Sequence, residues 1–309
     1  MSLDPQIQTI VDQIALIDPP PASDVTPEEF RAGYAVLGAL SPRSDAVSVD
    51  DHWIETPNGP LALRTYRPID APADVRPGLI YFHGGGHTIG SVDTHDGPAS
   101  LLAELAGVVV AAVEYRLAPE HPFPADVDDA DATVRWVAEH ATEIGVDPDR
   151  LGVGGDSAGG NLAVVAALHA RARSGPTIAA LVLIYPWLDL ACDRPSMQEN
   201  GSGFVMTRAD LETLRGYYAP EASWTHPDAS AIYADLAGLP PTVIATCGFD
   251  PLRDQGDEFA QRLTAAGVNV THLQYPDLIH TFVQLTAVSE RAKAATEEIA
   301  REAAALLFA

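Results

Sequence analysis

Short apolar blocks separated by helix-length stretches of 3.6-residue periodicity run along most of this chain, and the two rhythms together predict an alternating α/β fold. Strands are predicted at 46–53, 61–67, 78–82, 108–115, 151–154, 180–185, 242–246 and 270–275. The first two flank Pro57-Asn58-Gly59-Pro60, a hairpin signal, whereas several later blocks are short continuous apolar runs of the kind parallel strands show when helices cover both faces. The expected sheet is eight-stranded, mostly parallel, antiparallel at its start and flanked by helices.

Two amphipathic helices precede the first strand. Ile7, Ile10, Val11 and Ile14 recur at helical spacing, and Thr26-Pro27-Glu28-Glu29 is a capping box opening a helix with Phe30, Tyr34 and Leu37 on one face. Between Pro186 and Pro240 the alternation breaks: Glu199-Asn200-Gly201-Ser202-Gly203 reads as loop and 207–218 as helix. Residues 1–309 therefore read as one domain, with 1–45 and roughly 187–238 expected to contribute a cap over the site. Completion of the core and a plain surface excursion are the respective alternatives.

Charge narrows the partners. Against 43 acidic residues stand 18 basic ones, a net charge of -25 with Lys293 the single lysine. That balance argues against nucleic acid and anionic membrane as partners. The start, Met1-Ser2-Leu3-Asp4-Pro5, lacks a basic and apolar leader, and no run of eighteen apolar residues occurs. A soluble, cytoplasmic protein is expected. Cys192 and Cys247 are the two cysteines, read as free thiols of a reducing compartment.

The chemistry begins at Gly155-Asp156-Ser157-Ala158-Gly159, a G-x-S-x-G frame where an apolar strand meets a small-residue helix. Such a turn projects a serine hydroxyl from the sheet edge, which makes Ser157 the candidate nucleophile; a helix-capping turn serine is the alternative. A serine hydroxyl needs a base and a group that orients the base. His280 lies a short loop past the last strand, and Asp250 just past the strand 242–246, giving the chain order serine, acid, histidine. Asp254, Asp257 and Asp277 are rival acids. A tetrahedral oxyanion needs backbone donors, expected from Gly84, Gly85 and Gly86 of His83-Gly84-Gly85-Gly86 and from Ala158.

With these motifs in order, the chain resembles the hormone-sensitive-lipase-like family of microbial carboxylesterases in the α/β-hydrolase superfamily. Tyr115-Arg116-Leu117-Ala118-Pro119-Glu120, Gly160-Asn161 after the serine motif, Asp250-Pro251-Leu252-Arg253, and His280 with Phe282 add to the likeness, which spans essentially the full chain. The resemblance implies a Ser157–Asp250–His280 triad, an oxyanion hole from Gly84 to Gly86 with Ala158, a helical cap, and dimers through the last strand. Three positions depart from the family pattern: His87 replaces an aromatic residue, Thr281 a glycine, and Glu114 an aspartate. His87 could admit more polar groups on the acyl or alcohol side, or could simply bond loop backbone.

The expected reaction is two-step hydrolysis of soluble short- to medium-chain esters through an acyl enzyme, with no metal or organic cofactor. An amide or peptide hydrolase could use the same triad. A non-catalytic receptor on this fold is disfavoured by the presence of His280. Tyr185, Trp187, Leu188, Phe204, Leu252, Ile279 and Phe282 flank catalytic positions and read equally as pocket or core.

Overall fold

The computed structural model describes residues 2–70, 75–191 and 193–309. Its eight strands are β1 (Val47–Ile54), β2 (Leu61–Pro68), β3 (Arg76–Phe82), β4 (Val109–Val113), β5 (Val146–Asp156), β6 (Ala180–Ile184), β7 (Thr242–Phe249) and β8 (Val270–Ile279). They form one sheet in the order β1-β2-β4-β3-β5-β6-β7-β8. The β1–β2 and β2–β4 pairs are antiparallel and all others parallel, as the hairpin signal and the later apolar runs imply. The order reverses direction around β3 and β4, so the crevice beyond the carboxyl ends of β3 and β5 lies where open α/β sheets bind ligands.

Among the described residues nine α-helices accompany the strands, two of them before β1: α1 (Pro5–Ile17), α2 (Pro27–Gly38), α3 (Asp96–Ala106), α4 (Ala125–Glu139), α5 (Ala158–Ala172), α6 (Pro195–Glu199), α7 (Arg208–Tyr218), α8 (Arg253–Ala265) and α9 (Glu290–Leu307). Helices α4, α5 and α8 cover one face of the sheet, where Ile80, Val153, Leu183 and Ile244 pack with Val134, Leu162 and Phe259. Helices α3 and α9 cover the other, where Leu79, Val110, Val182 and Ala245 meet Leu102, Ile299 and Ala303. Burial on both faces explains why these strands read as unbroken apolar runs.

Local chemistry fixes the helix ends. Thr26 and Glu29 form the capping box of α2, with Thr26 Oγ1 accepting from Glu29 N and Glu29 accepting from Thr26 N. Thr207 and Asp210 cap α7 the same way, which places the helix start one residue inside the predicted 207–218. α1 docks beside β8 and α9, with Ile7 and Val11 buried there and Asp4 N donating to Asp277 O. The 186–240 segment gathers a separate apolar cluster of Trp187, Leu190, Met197, Leu211, Leu214, Tyr218 and Leu252, against which Phe30 of α2 packs. Asp210 also accepts from Ala22 N, joining the N-terminal region to α7. Cys247 is buried and free, while Cys192 lies outside the described residues.

Candidate active site

β5 ends at Asp156, α5 begins at Ala158, and Ser157 between them takes φ 51°. An L-residue in that region stores backbone strain of about 1–3 kcal/mol, offset here by the packing of the strand and helix it joins. Gly159 makes the turn possible, since a Cβ there would run into the Phe82 carbonyl. Ser157 N donates to Ile184 O of the neighbouring strand at 2.9 Å, so the elbow is tied directly to the sheet.

His280 stands one residue past β8 and Asp250 one residue past β7. His280 Nε2 lies 2.9 Å from Ser157 Oγ, and His280 Nδ1 lies 2.8 Å from Asp250 Oδ2. The carboxylate can only accept, so Nδ1 carries the proton and Nε2 presents its lone pair to the hydroxyl. All three side chains are buried, with Ser157 5% exposed. Asp250 is further fixed by Leu252 N, which donates to its Oδ1 at 2.7 Å. The rival acids are engaged elsewhere: Asp254 with Ser196 N and Arg253, Asp257 with Thr246 and His272, Asp277 with Arg291.

The glycine loop after β3 is anchored to Asp156, the residue before Ser157. Gly84 N donates to Asp156 Oδ1 at 2.8 Å, which corrects the expectation that Gly84 supplies an oxyanion donor: its N–H is spent on anchoring the loop. The next two amides are aimed by their own peptide planes, because in a trans peptide the carbonyl and the following N–H point in opposite directions. His83 Nδ1 donates to Gly84 O at 2.8 Å, which sets the Gly85 N–H. Thr88 N and Ile89 N both donate to Gly85 O, at 3.0 and 2.9 Å, which sets the Gly86 N–H. Gly160 N and Trp187 N donate to Ser157 O, at 3.0 and 2.9 Å, and so set the Ala158 N–H. Gly85 itself has φ +120°, and a Cβ there would collide with the Ile89 carbonyl, so only glycine closes this turn.

Beneath the loop lies a buried polar network that the motif reading did not find. Asp156 Oδ1 accepts from Tyr81 OH at 2.8 Å and lies 3.5 Å from His95 Nε2. Burial would raise the Asp156 pKa, but the facing His95 and the Tyr81 and Gly84 donors bring it below the usual carboxylate value. His83 stacks on Tyr115 at 4.2 Å, and burial depresses its pKa to about 3, which keeps it neutral. Tyr115 OH donates to His83 O at 2.6 Å. Asp156 and Tyr81 were detectable only as the polar members of otherwise apolar strand ends.

The three departures from the family pattern now have local reasons. Thr281 takes φ +68°, a left-handed conformation that glycine adopts freely. Glu114 accepts from Val92 N at 2.8 Å, and burial raises its pKa. His87 bonds a side chain rather than loop backbone: its Nδ1 lies 2.6 Å from Asp126 Oδ2, and its ring stacks 3.8 Å from Tyr218 of α7. Of the neighbourhood residues, Tyr185 sets its ring 4.5 Å from that of His280, whereas Leu188, Ile279 and Phe282 sit in the two sheet cores. Trp187 and Leu252 belong to the cluster of the 186–240 segment, and Phe204 packs on Phe249.

A serine at a strand-turn-helix bend, an imidazole and a carboxylate stand together at the carboxyl ends of β5, β8 and β7, the arrangement that serine hydrolases use on an α/β-hydrolase sheet. Residues 79–284 match the family model described as alpha/beta hydrolase fold. The chain belongs to the hormone-sensitive-lipase-like carboxylesterases of that superfamily, and it is a carboxylic ester hydrolase. Esterase LipI of Mycobacterium tuberculosis is 41% identical over 252 residues, covering 80% of this chain and 79% of the relative. Ethyl acetate hydrolase of Pseudomonas putida is 38% identical, covering 87% and 86%. The hyperthermophilic esterase of the archaeon Pyrobaculum calidifontis superimposes with a TM-score of 0.94 at 36% identity, each chain covered in full.

Proposed function

We propose that Ser157 is the nucleophile, His280 the base and then acid, and Asp250 the group that holds the imidazole tautomer. The observation that carries this reading is the continuous line from Ser157 Oγ through His280 to Asp250, at 2.9 and 2.8 Å. As the serine oxygen attacks the ester carbonyl, its proton passes to His280 Nε2. The developing oxyanion meets the Gly85, Gly86 and Ala158 amides, whose orientation costs nothing at the moment of reaction because their peptides are already fixed. His280 then delivers the proton to the leaving alcohol, and water attacks the acyl enzyme with the same imidazole as base.

Short- to medium-chain soluble esters are the proposed substrates. Ser157 is nearly enclosed, and α2 with the 186–240 segment forms the proposed cap over it, which suits a small soluble ester better than a lipid aggregate. A relative named for ethyl acetate hydrolysis is in keeping with that size. No helix among the described residues is long and apolar enough to cross a membrane. We take the cytoplasm as the working compartment, where the buried thiol of Cys247 stays reduced, and β8, an edge of the sheet, as the strand through which two copies would pair.

Turnover of p-nitrophenyl esters of increasing acyl length tests the reading. Ser157→Ala should lower kcat on the order of 10⁶-fold without loss of folded protein. Full activity in that variant, or peak turnover on long insoluble chains, would contradict the role or the substrate class respectively.

A further inference from the structure

We propose that Arg31, on α2, is a positioning residue that holds the oxyanion loop in its working geometry, so that the N-terminal helix serves transition-state stabilisation as well as covering the site. The proposal rests on the assignment of Gly85 and Gly86 as oxyanion donors.

One guanidinium makes four hydrogen bonds. Arg31 Nε donates to Thr88 O at 2.8 Å and Nη2 to Ala118 O at 2.9 Å. Nη1 and Nη2 also grip the Glu120 carboxylate at 2.9 and 2.6 Å. The two carbonyls belong to the segments that fix the glycine loop. Thr88 N is one of the two donors to Gly85 O, the bond that aims the Gly86 N–H, and Ala118 N donates to His87 O at 2.8 Å. Arg31 therefore staples both strands of this turn from outside, on the carbonyl side of the residues whose N–H groups shape it.

Only a planar fork of donors can reach two carbonyls and a carboxylate at once; an ammonium is a point charge without that geometry. The Arg31 contact also holds the Glu120 carboxyl down to about 2, so the pair stays charged across the range in which an esterase works. α2 has no fully buried residue, and its other polar tie inward is Tyr34 OH donating to Gln284 Oε1 at 3.0 Å. Three residues of the Tyr115-to-Glu120 motif thus acquire a use: Tyr115 steadies His83 O, Ala118 steadies His87 O and receives Arg31, and Glu120 seats the guanidinium.

The test compares wild type with Arg31→Met, Arg31→Lys and Glu120→Gln on p-nitrophenyl acetate. Rates are taken per competent site, counted by end-point labelling with a fluorophosphonate, and each protein is also inhibited with a trifluoromethyl ketone that forms a tetrahedral adduct. Arg31→Met should lose about tenfold in kcat with KM changed less than twofold, a fraction of the 10² to 10³ expected for removing an oxyanion donor outright. Ketone affinity should weaken by the same factor, Arg31→Lys should recover part of the loss, and Glu120→Gln should show a smaller loss of the same kind. Unchanged kcat per site and ketone affinity in Arg31→Met would overturn the proposal, as would a loss confined to KM. If Arg31→Met yields no folded protein, Arg31→Lys and Glu120→Gln decide by the same two readouts. A wild type that neither turns over the ester nor binds the ketone would instead refute the site assignment.

Discussion

Ser157, Asp250 and His280 hang from the ends of β5, β7 and β8, whose backbones are laddered into the sheet and packed on both faces. The segments of the proposed cap are attached differently. α2 reaches the oxyanion loop through the Arg31 side chain, α7 reaches it through Leu214 against Gly86 and Tyr218 against His87, and residues 228–231 are tied to α5 through His169 and Asn161. The proposed reacting groups are thus positioned by backbone hydrogen bonds, and the segments of the proposed cap by side chains that can be exchanged one at a time. Substitutions below should break the chemistry or the fold, whereas those above should alter rate and fit in smaller steps.

Asp156→Ala gives the sharpest break below. It strips the acceptor from Tyr81 OH and Gly84 N, and loss of one partner of a buried charged network costs about 3–5 kcal/mol. Urea unfolding should report that loss, together with a fall in kcat of about 10²-fold as the glycine loop drifts. Equal effects from a substitution above would erase the contrast. Leu214→Ala is the counterpart: a buried leucine resting on Gly86 should cost about 2–3 kcal/mol in the same unfolding measurement, yet less than tenfold in kcat.

A smaller loss should follow from pH. His169 Nδ1 and Nε2 lie 3.0 Å from Asp131 and Asp228, and those two carboxylates raise its pKa from the ordinary 6.5 to about 9. The folded value exceeds the unfolded one, so this stabilisation is fully present below about pH 6.5 and fades as pH rises through about 9. Melting temperature should therefore fall between pH 7 and 10, and more steeply in wild type than in His169→Gln. Parallel curves would show that the latch carries no charge-dependent load. The smallest effect is expected at the outer end of α2: Thr26→Ala removes the N-cap and should cost about 1 kcal/mol, with activity changed less than twofold.

The same division governs what could be read from residues alone. All eight strands fall where the residue pattern places them: the central ones read as short apolar runs because both their faces are buried, whereas β1 and β2 are marked by the turn between them. Ser157, Asp250 and His280 were nameable because each stands next to such a run in a local motif. Asp156, His95 and Tyr81 were not, since a polar residue adjoining a strand carries no local sign of the partner it will meet 75 residues away. Gly84 misled for a related reason: a triglycine signals close backbone approach, but which N–H remains free depends on the carboxylate beneath it.

Sequence by itself determined the order and type of the elements, the strand-turn-helix bend at Ser157 and the three side chains proposed to react, for these depend on periodicity and on contacts within a few residues. Tertiary structure alone decided that the Gly84 N–H goes to Asp156, which partner His87 takes, and that Arg31 of α2 bonds Thr88 and Ala118. Those outcomes are set by groups brought together across 39 to 87 residues of chain, and no local preference encodes such meetings.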